Sequence, residues 1–174
     1  MGTVPGKIAR MSPVPIPPGP GQESVWDYPR PARWEDTPQV IRVIFNGVTI
    51  AHSHQGKRVL ETSHPPTYYL PATDIQLDCL RATPRISVCE WKGRCRYYDV
   101  VVGDKQAKLA VWRYFDPSPP FQVLQDAYGF YASRMDACYL DDELVTPQPG
   151  DFYGGWITQN LVGPFKGGPG TMGW

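Results

Sequence analysis

The sequence predicts a mainly β domain of short antiparallel strands with one short helix. The chain of 174 residues holds 20 Pro and 17 Gly, about a fifth of its length, and each disfavours a helix interior, by about 3 and about 1 kcal/mol respectively. Runs of β-branched and aromatic residues alternate with turn residues. Asn46-Gly47 between two such runs predicts a hairpin, because both turn positions need positive φ. We therefore expect two packed or splayed antiparallel sheets, with the helix covering one end.

The predicted elements follow from local patterns along the chain. Alternating or continuous apolar runs bounded by Gly, Pro or Asp predict strands over 40–45, 48–51, 58–62, 68–70, 75–79, 86–89, 96–102, 107–114, 135–140 and 143–145. The short segment 71–74 reads as a turn or a single 3₁₀ turn. A helix is predicted over 120–131, where Val123, Leu124, Ala127 and Tyr128 form one apolar stripe.

Proline and aromatic residues divide the chain. Residues 1–24 are rich in Pro and poor in aliphatic residues, which predicts a flexible or polyproline II arm. Trp26 and Tyr28 are large aromatic residues that need burial, so we expect one folded domain over 25–174. The Gly-rich tail from Gly150 also carries five aromatic residues, and we expect part of it to pack as an ordered loop against a sheet.

Charge and hydropathy exclude several classes of protein. The 17 Lys and Arg balance 17 Asp and Glu, which argues against a protein that binds duplex nucleic acid through a broad basic face. No apolar run reaches the length of a membrane helix. Residues 1–10 lack the apolar core of a signal peptide, so a cytoplasmic protein with reduced thiols is expected.

The cysteine and histidine spacing predicts neither a metal site nor a cofactor. Cys79, Cys89, Cys95 and Cys138 contain no CxxC pair, which is the strongest zinc signal. Two histidines, 52 and 54, lie two apart and share a strand face. That pair alone is a weak metal signal, and an ordinary polar strand end is the favoured interpretation.

Two segments carry polar groups at predicted strand ends, where side chains tend to face clefts. Glu61 and His64 lie where one strand stops, just before Tyr69, and offer a base or ligand acceptor and an imidazole. Trp91 and Lys92 occupy a turn and offer an apolar face and a mobile cation for a planar or anionic ligand. The alternative interpretation is that these residues have no role in a site. His64 would then be a solvated loop residue, Trp91 a core residue and Lys92 an exposed residue.

Aromatic residues accompany the strand ends elsewhere as well. Trp112 and Tyr114 alternate on one predicted strand, and clustered aromatic rings provide stacking or cation–π surfaces. Since a small β domain needs large side chains to fill its core, we expect most of these aromatic residues to belong to the core.

Several longer motifs resemble the family catalogued as domain of unknown function 427, also labelled nucleotidyltransferase-like. The resemblance covers about residues 25–170 and rests on the runs 26–31, 60–69, 91–98, 112–114, 136–138 and 152–167. It implies the β-tent fold, in which two antiparallel sheets meet at an angle, as in Mss4, methionine sulfoxide reductase B and the thalidomide-binding domain of cereblon. Many tent relatives bind zinc through two CxxC pairs, which this chain lacks, so no metal is carried over.

Three hypotheses for function follow. The first is a cytoplasmic module that binds a small planar or anionic, possibly nucleotide-like, ligand through Glu61, His64, Tyr69, Trp91, Lys92, Trp112 and Tyr114. The second is a nucleotidyltransferase-like enzyme with Glu61 or Asp136 as its carboxylate, although the sequence carries no catalytic signature. The third is a protein-interaction domain that uses residues 1–24. We rank the binding module above the protein-interaction domain, and the protein-interaction domain above the enzyme. The sequence leaves the oligomeric state open.

Overall fold

The computed structural model describes residues 12–174, and strands account for 47% of the structure. The strands are β1 Glu23–Ser24, β2 Arg33–Asp36, β3 Ile41–Phe45, β4 Val48–Ser53, β5 Lys57–Leu60, β6 Thr67–Pro71, β7 Leu80–Cys89, β8 Gly93–Val102, β9 Lys105–Pro117, β10 Ala127–Phe130, β11 Ala137–Leu140, β12 Glu143–Leu144, β13 Thr146–Pro147, β14 Trp156–Ile157 and β15 Leu161–Val162. The mainly β, antiparallel fold predicted from the sequence is confirmed. None of the helices within residues 12–174 has the length and apolar character needed to cross a membrane.

Two sheets form the body of the domain. The larger has seven antiparallel strands in the order β2-β5-β6-β10-β9-β8-β7, and the smaller has four in the order β12-β11-β3-β4. The predicted hairpin is confirmed: β3 pairs with β4 through Asn46 and Gly47, whose φ angles are 49° and 72°. Residues of both sheets, among them Val43, Phe130 and Cys138, share one buried core, so the sheets pack against each other.

Strand β7 is longer than the predicted segment 86–89 because the sheet edge tolerates an interruption. Its register with β8 shifts between Ala82 and Ile86, which brackets Pro84. Proline cannot donate to a strand ladder and is therefore found at edges and bulges. Because β7 is the edge strand of the larger sheet, Pro84 is accommodated there without breaking the strand.

The segment before residue 25 contacts the domain. Glu23–Ser24 form β1, which pairs in parallel with β15, and the Ile16 amide donates to the Gly163 carbonyl at 2.9 Å. Residues 1–11 of the expected arm lie outside the described residues. The division at residue 24 stays a prediction.

The predicted helix over 120–131 is largely wrong. Its first half is a 3₁₀ helix, Pro119–Leu124, with a non-helical Phe121, and its second half is strand β10. All four residues of β10 are buried, and its Gly129 leaves no space for a Cβ, which would lie 2.4 Å from the Trp112 ring. A continuous buried apolar run between two strands fits a central strand as well as a helix, and pairing with β6 and β9 decides the outcome.

The predicted strand over 75–79 is also wrong. Ile75 makes one isolated bridge to Ala51, and the chain then forms the 3₁₀ helix Leu77–Cys79, which leaves Leu77 44% exposed. Alternation of apolar and polar residues indicates a strand only where a partner strand continues alongside. The other short 3₁₀ helices are Val25–Asp27, Ala72–Asp74 and Ala132–Arg134.

A charged cluster joins β1, β2 and β5. The Arg58 guanidinium lies 2.5 Å from Glu23 and 2.5 Å from Glu35, and the Tyr28 hydroxyl donates to Glu23 at 2.7 Å. Burial raises the pKa of Glu23, but the hydrogen bonds from Arg58 and Tyr28 outweigh burial and leave that pKa below its ordinary value of 4.5. The pKa of Glu35 is lowered in the same way, against burial, by Arg33 and Arg58.

This cluster predicts acid sensitivity. A carboxylate with a lowered pKa in the folded state stabilises the fold above its ordinary pKa, and the stabilisation is lost as the pH falls through the lowered value. Urea unfolding should therefore show a falling free energy of unfolding between about pH 5 and pH 3. Replacing both Glu23 and Glu35 by Gln should reduce that fall by about 1 kcal/mol, a modest figure because both side chains are a third exposed and screened by solvent.

Asp116→Asn is the matched control, because the exposed Asp116–Arg94 pair should contribute little. An acid profile that is unchanged by the Glu23→Gln and Glu35→Gln pair would contradict the assignment.

Candidate functional site

A cavity of about 270 Å³ lies on one face of the seven-stranded sheet. Side chains two apart in a strand face the same way, and the cavity walls include Tyr69 of β6, Cys95 and Tyr97 of β8, and Trp112 and Tyr114 of β9. Cys95 stands opposite Tyr114, and Tyr97 opposite Trp112. Six of the seven predicted site residues line this cavity: Glu61, His64, Tyr69, Lys92, Trp112 and Tyr114.

The Trp112 indole is fixed within the wall. Its Nε1 donates to the Tyr69 hydroxyl at 3.1 Å, and its ring centroid lies 4.8 Å from that of Tyr131. A Cβ at Gly129 or Gly154 would lie 2.4 or 2.5 Å from the ring, so both glycines allow the close approach of the backbone. The cavity therefore presents a rigid aromatic surface.

Lys92 brings a positive charge to this aromatic surface. It lies in the turn between β7 and β8, and its ammonium is 5.7 Å from the centre of the Tyr114 ring. Within residues 12–174, its ammonium makes no hydrogen bond or ion pair. Burial lowers the pKa of Lys92, but the nearby Tyr69, Cys89 and Glu61 outweigh it and raise the pKa above its ordinary value. Lys92 is therefore a cation at neutral pH.

A turn after β5 positions Glu61 and His64. The His64 amide donates to the Glu61 carbonyl at 3.0 Å, and Ser63 between them has φ 74°, as the third position of a type II turn requires. The His64 Nε2 atom lies 2.7 Å from a Glu61 carboxylate oxygen. Burial raises the pKa of Glu61, but the hydrogen bond from His64 outweighs it and keeps the pKa below its ordinary value.

Two predicted candidates lie away from the cavity walls. Trp91 is half-buried and packs against the hydrophobic cluster that includes Trp112 and Tyr114, while its carbonyl accepts from the Ser118 hydroxyl. Asp136, the alternative carboxylate, is ion-paired with Lys105 at 2.6 Å and accepts from the Gly47 amide at 3.0 Å. The structure thus brings Glu61 and Lys92 together and leaves Asp136 elsewhere.

The tail contributes wall residues that the sequence analysis missed. Gln148 lies 3.1 Å from the His64 Nδ1 atom through its side-chain nitrogen, and the Tyr153 ring packs edge-on against His64 with centroids 4.6 Å apart. Both residues line the cavity. The sequence around Gln148 and Tyr153 is rich in Pro, Gly and aromatic residues. This composition predicts that the tail packs on the domain, but it does not predict which residues the tail contacts.

The Cys95 thiol in the cavity wall differs from a reactive cysteine. Burial raises the pKa of Cys95 to about 12, so it stays a neutral thiol at physiological pH. Cys89, which also lines the cavity, is half-buried, and neither cysteine forms a disulfide. Among the described residues, no group of three or more His, Cys, Asp or Glu side chains is arranged to hold a metal ion.

The fold and the cavity define a mainly β domain built around an aromatic pocket with a half-buried lysine. The family model described as "Domain of unknown function (DUF427)" matches residues 33–141. The chain belongs to this family, as its motifs predicted. Comparison with curated proteins finds no match.

Proposed function

We propose that this chain is a binding module for a small aromatic or otherwise planar anion, with nucleotide-like molecules among the candidates. The observation that carries the proposal is the Lys92 ammonium, which faces an aromatic cavity without an ionic partner among the described residues. The proposal places the module in the cytoplasm, where its free cysteines stay reduced.

The proposal follows from the cost of withdrawing the half-buried Lys92 ammonium from water. A charge withdrawn from water is unfavourable unless a counter-charge or hydrogen bonds replace its hydration. An anionic group of a ligand would supply that partner to Lys92, and a planar ring would pack on the wall formed by Tyr69, Trp112 and Tyr131. The cavity volume of about 270 Å³ lies just below the usual range for drug-sized ligands, which favours a ligand with one or two rings.

The cavity favours binding over nucleotidyl transfer. Among the described residues that line it, Glu61 is the single carboxylate and Lys92 the single Lys or Arg. Polymerase-type transfer uses paired carboxylates on metal ions. Incubation with labelled nucleoside triphosphates and Mg²⁺ or Mn²⁺ tests the enzyme hypothesis, and transfer or turnover would overturn our ranking.

Replacing Lys92 by Met tests the proposal. The screen uses benzoate, phenyl phosphate and AMP, measured by thermal shift and then by calorimetry. We expect at least one of them to stabilise the wild-type chain and to bind Lys92→Met about tenfold more weakly or worse, because a hydrogen bond to a charged group is lost. Lys108→Met is the matched control, since Lys108 is exposed and should leave binding unchanged. Equal binding by Lys92→Met and Lys108→Met would contradict the proposal. Absence of stabilisation by all three anions would also contradict it.

The hypothesis of a partner for residues 1–24 is a separate prediction. Deleting these residues and comparing captured partners with those of the full chain tests it. Partners that bind equally well without residues 1–24 would remove its basis.

A further inference from the structure

We infer that the ligand of this cavity is bipolar, with an ammonium or other N–H donor that binds Glu61 opposite the anionic group that binds Lys92. The inference rests on the proposed function and names the class of ligand more narrowly. It follows from a chain of hydrogen bonds that runs from the tail, through Gln148 and His64, to the Glu61 carboxylate.

The first step is the orientation of the Gln148 amide. Its oxygen accepts from the Gly155 backbone amide at 3.0 Å, a group that can only donate. Its nitrogen lies 2.8 Å from the Lys166 carbonyl, a group that can only accept. Both backbone contacts agree on one orientation, so the side-chain nitrogen is the atom that faces His64.

The second step is the proton on His64. Because the Gln148 nitrogen donates, the His64 Nδ1 atom at 3.1 Å accepts, and in a neutral imidazole the proton then lies on Nε2. That Nε2–H donates to one carboxylate oxygen of Glu61 at 2.7 Å. The arrangement holds Glu61 as an ionised carboxylate, in agreement with the lowered pKa of this residue.

The third step concerns the second carboxylate oxygen of Glu61. Within the described part of the chain, the other Glu61 oxygen has no hydrogen-bond partner, and the contact of Glu61 is the hydrogen bond from His64 rather than an ion pair with Lys92. An ionised carboxylate only accepts, whereas the Lys92 ammonium only donates. One cavity therefore holds two unlike charges that do not contact each other.

The consequence concerns the shape and polarity of the ligand. An anion with no donor would satisfy Lys92 but would bring a second negative charge near Glu61 and displace water from it, which is unfavourable. A ligand whose ring carries both an anionic group and a donor satisfies both groups at once. The aromatic walls of the same cavity would hold the ring.

The test compares four one-ring probes by calorimetry: benzoate, benzylamine, 3-(aminomethyl)benzoate and 4-(aminomethyl)benzoate. The two aminomethyl isomers cover two separations of charge. We expect at least one isomer to bind the wild-type chain about tenfold more tightly than benzoate, the gain typical of a charged hydrogen bond. In Glu61→Gln this gain should fall below about threefold, while benzoate should bind as well as before or better.

Glu90→Gln is the matched control, because Glu90 is exposed, does not line the cavity and should leave the gain intact. The comparison of the four probes on the wild-type chain needs no variant, so it tests the inference even where Glu61→Gln fails to fold.

Lys92-dependent binding of benzoate without a gain for either isomer would overturn the inference and leave the proposed function standing. A gain that persists in Glu61→Gln, or benzylamine binding as tightly as the isomers, would also overturn it. Absence of binding by all three anions of the Lys92 screen would overturn both the inference and the proposed function on which it rests.

Discussion

Trp156→Ala should lower the free energy of unfolding by about 3–5 kcal/mol, the range for removing a fully buried large aromatic side chain. Trp156 is 0% exposed. Its ring stacks on Tyr68 with centroids 5.3 Å apart, and its Nε1 donates to the Phe130 carbonyl at 3.0 Å. The substitution leaves a cavity in the main core and a buried carbonyl without its donor.

Urea unfolding at neutral pH measures this effect. Phe152→Ala is the matched control in the same tail, since Phe152 is 73% exposed and its removal should cost less than about 0.5 kcal/mol. Loss of less than about 1 kcal/mol in Trp156→Ala would mean that the tail does not belong to the core.

Gly93→Ala should destabilise the chain by about 3 kcal/mol or more, because it combines backbone strain with overpacking. Gly93 has φ 109°, and a Cβ there would lie 2.3 Å from the Asp116 carbonyl oxygen of β9 and 2.8 Å from the Ser118 amide nitrogen. These neighbours are backbone atoms, so the clash can be relieved only if the backbone around Gly93 or that of the facing segment moves. Since Lys92 is the preceding residue, we also expect its ammonium to shift within the cavity.

Gly47→Ala separates the two causes. Gly47 also has positive φ, 72°, but a Cβ there meets no atom within 4 Å. Its substitution should therefore cost only the conformational strain, about 1 kcal/mol. Chemical denaturation of both variants gives the comparison, and equal losses would show that the close approach of β9 to Gly93 contributes nothing.

The sequence predicted those features that depend on neighbours along the chain. Asn46-Gly47 fixes the β3–β4 hairpin because its backbone conformation suits few other residues. The alternation of Trp112 and Tyr114 places both rings on one side of β9, and both line the cavity. Glu61 and His64 could be proposed together because they lie three apart at a strand end, where a turn brings them into contact.

The sequence failed where long-range pairing overrides local pattern. Over 120–131 the apolar spacing fits a helix, but Ala127–Phe130 gains more from pairing with two strands and from the contact of Gly129 with Trp112. Gln148 was missed because glutamine in a Pro-rich loop has no local signature of function. Its role depends on Gly155, Lys166 and His64, which only the folded tail brings together.

By itself, the sequence determined the antiparallel β character, the family motifs and the chemical types available to a site, since these depend on residue identity and short-range conformation. Only the tertiary structure decided that Lys92 and Glu61 share one aromatic cavity without pairing, and that Trp91 and Asp136 lie outside its walls. Strand order and side-chain packing between distant segments fix these distances. Such contacts form only when the chain folds and excludes water, so no local pattern encodes them.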